Sequence, residues 1–420
     1  MNEIQPTPQP DETPGYDHWK QKTVLFLSGQ TLSLFGSSLV QYAIIWYITL
    51  NTKSGITLTI STLAAFLPQI LISLFAGVWA DRYNRKFLII FADLLTATST
   101  LILAILFLMG YDQLWLLYVI SGIRSIGAGI QSPAVGALLP QIVPTEKLIK
   151  VNSINSTLQP ILFIISPVMA GTMLSLYPLE YIFFVDVITA ALAVGLLSAL
   201  KVPLHHKAAA AQVTGYLDDL KAGVVYIHTH KILRALFAFF AAVMVLVAPA
   251  AFLTPLLVAR KFGEEVWRLT ANEITFFVGM ILGGVLMTTW GGFKNHFRTI
   301  GLGCILQGLT FLTLGLSNNF ILYLVFMFLC GLPMPMFNVP TVTLLQEMVE
   351  PDMLGRVFGV NQLIGSTAMP LGMVIFGPLA DIVPIETLLI VSGVLMALPG
   401  IWLYFNRHIH NTKPSFNPAD

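Results

Sequence analysis

Twelve runs of apolar residues follow one another along the chain, at 23–50, 57–79, 87–110, 113–138, 151–177, 180–201, 232–259, 271–291, 298–316, 319–345, 356–382 and 385–406. A helix needs about 20 such residues to cross a bilayer. The 420 residues are 56% hydrophobic and only 10% charged, whereas a soluble domain carries about 25% charge. That much apolar surface needs lipid to cover it. The fold class expected is therefore an all-α membrane protein with twelve transmembrane helices in two six-helix bundles.

The longest polar stretch inside the chain, 202–231, divides the runs six and six. It contains His205-His206-Lys207, an alanine run and Asp218-Asp219, and is expected to be a cytoplasmic linker with one amphipathic helix near 215–230. The domain plan is a disordered tail over 1–22, a bundle over 23–201, the linker over 202–231, a second bundle over 232–406 and a tail over 407–420. The first run is too long for a signal-peptide core and reads as a retained helix.

Positive residues on loops mark the cytoplasmic side. With the N-terminus inside, the cytoplasmic side collects seventeen Lys and Arg residues. The far side has four, Lys53, Arg260, Lys261 and Arg268, and Arg124 lies within a span. Losing one span would scramble this split, so both ends are expected in the cytoplasm. The halves also echo each other. Pro133, Leu138 and Pro144 match Pro340, Leu345 and Pro351 at an offset of 207, and Trp79 and Asn84 match Trp290 and Asn295 at 211. Paired halves are a common transporter plan, with the substrate held between them.

Several function classes drop out. A net charge of +1 gives no footprint for nucleic acid, and no GxxxxGKS/T loop marks an ATPase. Cys304 and Cys330 sit inside apolar runs, and no His/Cys/Glu cluster has metal-ligand spacing. No metal, no cofactor and no nucleophile–base pair of an enzyme is expected.

A charge inside the membrane must face a partner or a cavity. Arg124 lies near the middle of the fourth span, Asp93 two turns into the third, and Asp186 two turns into the sixth. Glu273 opens the eighth span and Glu347 ends the tenth. Arg124, Asp186, Glu273 and Asp93 are candidates for proton coupling or for a substrate counter-ion, or else form a structural ion pair. Polar and aromatic residues share several spans. Of these, Gln41, Trp46, Gln69, Phe240, Phe277, Asn338 and Gln362 are candidates for a large greasy pocket suited to a small amphiphilic compound. Prolines should bend the fifth span at Pro167 and make the tenth irregular at Pro333, Pro335 and Pro340.

Between the second and third spans the chain reads GVWADRYNRK, residues 77–86. Arg82, Arg85 and Lys86 fit a cytoplasmic face against anionic lipid headgroups. Asp81 follows a helix C-terminus, where the dipole is already negative. It needs a positive partner, either a neighbouring arginine or another helix N-terminus.

The stretch Gly77-x-x-Ala80-Asp81-Arg82-x-x-Arg85-Lys86 resembles the signature loop of the major facilitator superfamily. Ile123-Arg124-Ser125-Ile126-Gly127 is similar to its buried-arginine motif, and Ser166-Pro167-x-x-Ala170-Gly171 to the fifth-span motif of drug–proton antiporters, with Ser166 and Ala170 where glycine is usual. Further stretches, among them Gly291-Gly292-Phe293, Gly355-Arg356-Val357-Phe358 and Ala368-Met369-Pro370, look like the macrolide efflux branch. The resemblance implies proton-driven export of hydrophobic drugs, macrolides first, by a monomer in the bacterial cytoplasmic (inner) membrane. It links Arg124 to proton transfer and has Asp81 clasp the start of the eleventh span at Gly355 and Arg356. Asn84, standing where the family has glycine, is expected to keep a left-handed turn. Other readings are an exporter of a siderophore, a lysolipid transporter, or a non-transporting sensor or assembly factor.

Overall fold

Proline and glycine positions decide where these apolar runs start, break and touch. A computed structural model describes residues 18–200, 202 and 216–405; both tails and most of the linker expected over 202–231 lie outside the described residues. Twelve helical segments are long and apolar enough to cross a membrane. The first six are α1 (Trp19–Thr52), α2 (Gly55–Arg82), α3 (Arg85–Leu108), α4 (Leu114–Ile142), α5 (Leu148–Leu176) and α6 (Leu179–Ala199). A linker helix α7 (Tyr216–Thr229) follows. The seventh span is two helices, α8 (Lys231–Phe252) and α9 (Thr254–Lys261), broken at Leu253. Pro255 in the first turn of α9 has no N–H to continue the ladder. Next come α10 (Val266–Trp290) and α11 (His296–Leu316). The tenth span is broken as its prolines predict, into α12 (Phe320–Gly331) and α13 (Met334–Met348), with Pro333 at the joint. The last two are α14 (Pro351–Leu379) and α15 (Ile385–Phe405). By contrast, α5 runs unbroken through Pro160 and Pro167.

Glycines mark the closest approaches. A Cβ on Gly308 would run into the Gly393 carbonyl, and one on Gly301 into that of Gly400, so α11 and α15 pack backbone on backbone. The same test separates the two ends of the molecule. We call the end where α1 begins the near end, and its opposite the far end. On α14, far-end Gly377 packs on Gly55 and Thr59 of α2, while near-end Gly355 and Gly359 face open space. On α2, near-end Gly77 also faces open space. At the far end of α5, Gly171 packs against Thr270 of α10. The two sets of six helices therefore meet at the far end and part at the near end.

An acid at a helix N-terminus closes the far end. Asp381, just past α14, accepts hydrogen bonds from Gly55 N (2.7 Å), Ile56 N (3.0 Å), Ser54 Oγ (2.8 Å) and Arg260 Nη2 (2.6 Å). Those amides are the orphan donors of α2, where the helix dipole favours an anion. Arg260 also donates to the carbonyls of Lys53 (3.0 Å from Nε) and Ala380 (2.5 Å). Lys53 sits in the left-handed region at φ 48°, which turns its carbonyl outward from the end of α1. Ion pairs Lys53–Glu264 and Lys261–Glu386 flank the seal, and Arg268 pairs with Glu265. All four far-side cations that break the charge bias are thus engaged there.

The near-end loop does more than mark topology. Arg85 donates to the carbonyls of Ala80 (2.9 Å) and Ala137 (2.7 Å), capping the ends of α2 and α4. Lys86 donates to Ser198 (2.7 Å) and Leu200 (2.8 Å) at the end of α6. Cations are favoured at helix C-termini, and of the three bases Arg82 is the exposed one. Asn84 departs from its expected left-handed turn. At φ −65° it is extended and caps α3, accepting from Phe87 N (3.3 Å). Its repeat partner Asn295 caps α11 in the same way, and there the left-handed positions are Gly291 (φ 74°) and Gly292 (φ 78°). The Asp81 side chain lies outside the described residues. Arg356 at the start of α14 donates to Asp219 of α7 (2.8 Å).

The far-end seal has a defined pH range. Partial desolvation pushes the Asp381 carboxyl up, but its four donors outweigh this and hold it below the usual carboxylate range. A depressed value means the acid's contribution is complete above the ordinary value of about 3.9 and is lost only as pH falls below it. Labelling of a single cysteine at cavity-lining Thr254, with Cys304 and Cys330 replaced by alanine, reads the seal. A membrane-impermeant maleimide on the far side should react about tenfold faster in Asp381→Ala, the effect of losing one charged hydrogen-bond partner. The ratio of the Asp381→Ala rate to the parent rate should be the same at pH 7 and pH 5, since acid slows maleimide chemistry equally in both by depleting the thiolate. Equal rates in Asp381→Ala and parent would show that the seal does not depend on Asp381.

Candidate functional site

A cavity of about 510 Å³ lies between the two sets of helices. One wall comes from α1 to α5 and presents Ser37, Gln41, Tyr42, Trp46, Gln69, Asp93, Thr96, Arg124 and Gln131. The other comes from α8 to α14 and presents Phe252, Glu273, Phe276, Phe277, Gln307, Cys330, Met334 and Met369. Rings join the walls. Phe163 of α5 stacks on Phe277 of α10, with centroids 5.3 Å apart, and Phe66 of α2 meets Phe252 of α8 edge-on at 5.9 Å. Tyr42 and Trp46 add a third aromatic pair, 5.6 Å apart. Such a surface takes an apolar body and offers a few polar contacts to orient it.

Of the residues singled out from sequence, Gln41, Trp46, Gln69 and Phe277 line the cavity. Phe240 does not. It is buried and stacks on Phe337 at 5.7 Å. Asn338 and Gln362 are exposed and outside the lining. In the fifth span, Ser166 and Pro167 are buried within α5, and Gly171 forms the far-end contact already described.

The buried charges sort into different states. Arg124 of α4 forms an ion pair with Asp186 of α6. Both are buried, at 6% and 1% exposure, deep enough that neither could remain charged alone. The guanidinium also donates to Thr100 Oγ1 of α3 and to the Ser37 carbonyl of α1 (3.1 Å). Both oxygens of the Asp186 carboxylate are engaged, because Ser37 Oγ donates to Oδ1 (3.0 Å) and Thr100 Oγ1 to Oδ2 (2.9 Å). One ion pair thus ties α1, α3, α4 and α6 together.

Asp93, 3% exposed, is held differently. Its Oδ1 accepts from Ser33 Oγ of α1 (2.6 Å) and Gln131 Nε2 of α4 (2.8 Å), while its Oδ2 has no partner. Glu273 is deeper than expected. Because α10 starts at Val266, the acid lies two turns inside it and lines the cavity, with the Asn272 amide 3.4 Å away. Asn272 is itself buried and accepts from Tyr323 Oη at 2.8 Å. Glu347 is exposed and reaches His296 at 3.4 Å.

Sequence reasoning missed the neutral partners Ser33, Ser37, Thr100 and Gln131. A signal was present. Ser33 and Ser37 are four residues apart on α1, and Asp93, Thr96 and Thr100 follow helical spacing on α3, so each set lies on one face. Asp381 and Arg260 were missed as a pair, although Arg260 stood out as a far-side cation.

The family model described as Major Facilitator Superfamily matches residues 26–373 and, in a second match, 266–419. Macrolide efflux protein A of Streptococcus pyogenes is 30% identical over 383 residues, which cover 91% of this chain and 95% of that protein. The staphyloferrin A transporter of Staphylococcus aureus (strain NCTC 8325 / PS 47) is 22% identical over 410 residues, covering 92% and 97%. Among solved structures, the peptide transporter POT matches with a TM-score of 0.72 at 13% identity, over 94% of this chain and 95% of that one.

The ion pair changes what replacing Arg124 does. From sequence, Arg124→Ala should stop transport and leave folding intact. With Asp186 buried against it, that variant leaves an uncompensated charge, a loss of about 3–5 kcal/mol. We expect Arg124→Ala to lower the thermal midpoint of the detergent-solubilised protein sharply. Replacing the pair together, Arg124→Met with Asp186→Leu, should recover most of that loss. A single variant as stable as the parent would show that the pair is dispensable to the fold.

Proposed function

The chain belongs to the major facilitator superfamily, so it is a multi-pass membrane transporter and not an enzyme, and on that premise we propose that it exports hydrophobic or amphiphilic drugs, macrolides first, in exchange for protons. The observation that carries this reading is the 30% identity to macrolide efflux protein A over nearly the whole chain. The near end, with its excess of positive residues, faces the cytoplasm, and the membrane is the bacterial inner one. Substrate enters the cavity from the parted near end while Asp381 keeps the far end shut. Closing the near end and breaking the far-end seal then delivers it outside. A monomer suffices for this cycle, because both walls of the cavity come from one chain.

The lining supports a cationic amphiphile. Among the described residues that line the cavity, Arg124 is the one cation, and Asp186 already neutralises it. Asp93 and Glu273 face the same space with no cation bonded to them. A macrolide of the erythromycin type has a large apolar ring and a basic amine. Its ring fits against Trp46 and the Phe163–Phe277 stack, and its amine against Glu273. A siderophore exporter is the second reading, favoured by the similarity to the staphyloferrin A transporter. An anionic siderophore would need a free cation in the cavity, which the described lining does not offer. One proton exchanged for one singly charged amphiphile moves no net charge, so the pH difference drives export, about tenfold in gradient per pH unit, and the membrane potential adds about 2.3 kcal/mol per 100 mV only where the substrate is uncharged.

Erythromycin accumulation in a pump-deficient host tests the reading. Expressing cells should retain severalfold less drug than control cells, and a protonophore should erase the difference. Glu273→Gln should weaken export of erythromycin by about tenfold, the worth of one charged contact, and affect an uncharged amphiphile much less. Unchanged accumulation would remove macrolides as substrates. Export that ignored the protonophore would remove proton exchange.

A further inference from the structure

We propose that Asp93 is the carboxyl that binds the exchanged proton. This deepens the proton-exchange reading and rests on it. Of the membrane acids, Asp186 is already excluded by its own contacts. Both of its oxygens are taken, one of them by the Arg124 guanidinium. Glu273 lies on the opposite wall among aromatic rings, the place for a substrate amine.

Asp93 has the hydrogen-bond pattern of a neutral acid. Oδ1 accepts two bonds from uncharged donors, as the carbonyl oxygen of a protonated carboxyl does. Oδ2 is buried and bonded to nothing, which costs far more for half of a carboxylate charge than for a hydroxyl. The surroundings bring no compensating cation. α1 carries no charge between Thr23 and Thr52, and α2 none between Gly55 and Ala80. α4 presents Arg124, which is bound to Asp186, and α6 presents Asp186 itself, a second negative group. On α3, Arg85 and Lys86 lie two turns away at the helix start and are tied to carbonyls there. Asp93 also lines the cavity, so the site is open to whichever end the cavity faces.

The step balances. An O–H bond forms at Oδ2 with a proton from water when the cavity faces outside. That bond breaks, and the proton returns to water, when the cavity opens to the cytoplasm and a cationic substrate enters. Ser33 and Gln131 act as positioning residues. By donating to Oδ1 they stabilise the ionised form and set the pH at which the proton leaves.

The experiment uses the purified full chain in weakly buffered detergent, with a pH-indicator dye and erythromycin as the probe. Wild-type protein should release about one proton per erythromycin bound. In Asp93→Asn this ratio should fall to near zero, and in Glu273→Gln the ratio per drug bound should persist. Ser33→Ala and Gln131→Leu keep the carboxyl but remove a donor. They should move the pH midpoint of release upward by about half a unit or more, a readout that also serves if Asp93→Asn does not fold. Full release from Asp93→Asn, loss of release in Glu273→Gln alone, or an unmoved midpoint in both positioning variants overturns the assignment. A wild-type protein that binds erythromycin and releases no proton overturns the proton-exchange reading itself.

Discussion

An arginine in the middle of an apolar bundle has to be neutralised, and much of the first six helices is arranged around doing so. Arg124 meets Asp186, and the pair draws in Thr100 and Ser37, so four helices converge on two charges. This makes the pair a fixed point of the fold. It also frees the remaining acids to act, because the one cation in the cavity wall is already committed. Asp93 and Glu273 both face the cavity of about 510 Å³, with no cation bonded to either among the described residues.

The two ends of the molecule differ in how α2 meets α14. α2 and α14 run side by side, and an acid placed at the opposing helix N-terminus can hold them together. At the far end that acid is Asp381 on the first amides of α2. At the near end Gly77 of α2 and Gly355 and Gly359 of α14 face open space. Arg356, at the start of α14, is held by Asp219 of the linker helix, which packs through Gly223 against the Arg356 carbonyl. The bond from Arg356 to α7 therefore belongs to the state in which the near end is parted.

Much of the fold was legible because a bilayer leaves a chain few options. Twelve runs of the right length meant twelve spans, and the tenth broke where its prolines said it would. The seventh broke as well, at Leu253 ahead of Pro255, a proline in its apolar run that sequence reasoning missed. Helix starts were less legible. The polar first turns of α10 lie outside the apolar run, so Glu273 read as an interface residue when it is two turns inside the helix. For the site, Arg124, Asp186, Asp93 and Glu273 could be picked out because charge is rare within spans. Which of them pair could not, since partners 62 residues apart on different helices share no local pattern.

The sequence by itself determined the class of protein, the number of spans, the charge split between the two faces and the short set of buried charges. Each follows from composition and from the cost of exposing polar groups to lipid, which act residue by residue. Only the tertiary structure decided the pairing of Arg124 with Asp186, the bare oxygen of Asp93 and the capping roles of Arg85, Lys86 and Asn84. It alone decided, too, that the far end is the closed one. These depend on which helix faces touch, and that is settled by glycine contacts and helix-end hydrogen bonds between segments far apart in the chain.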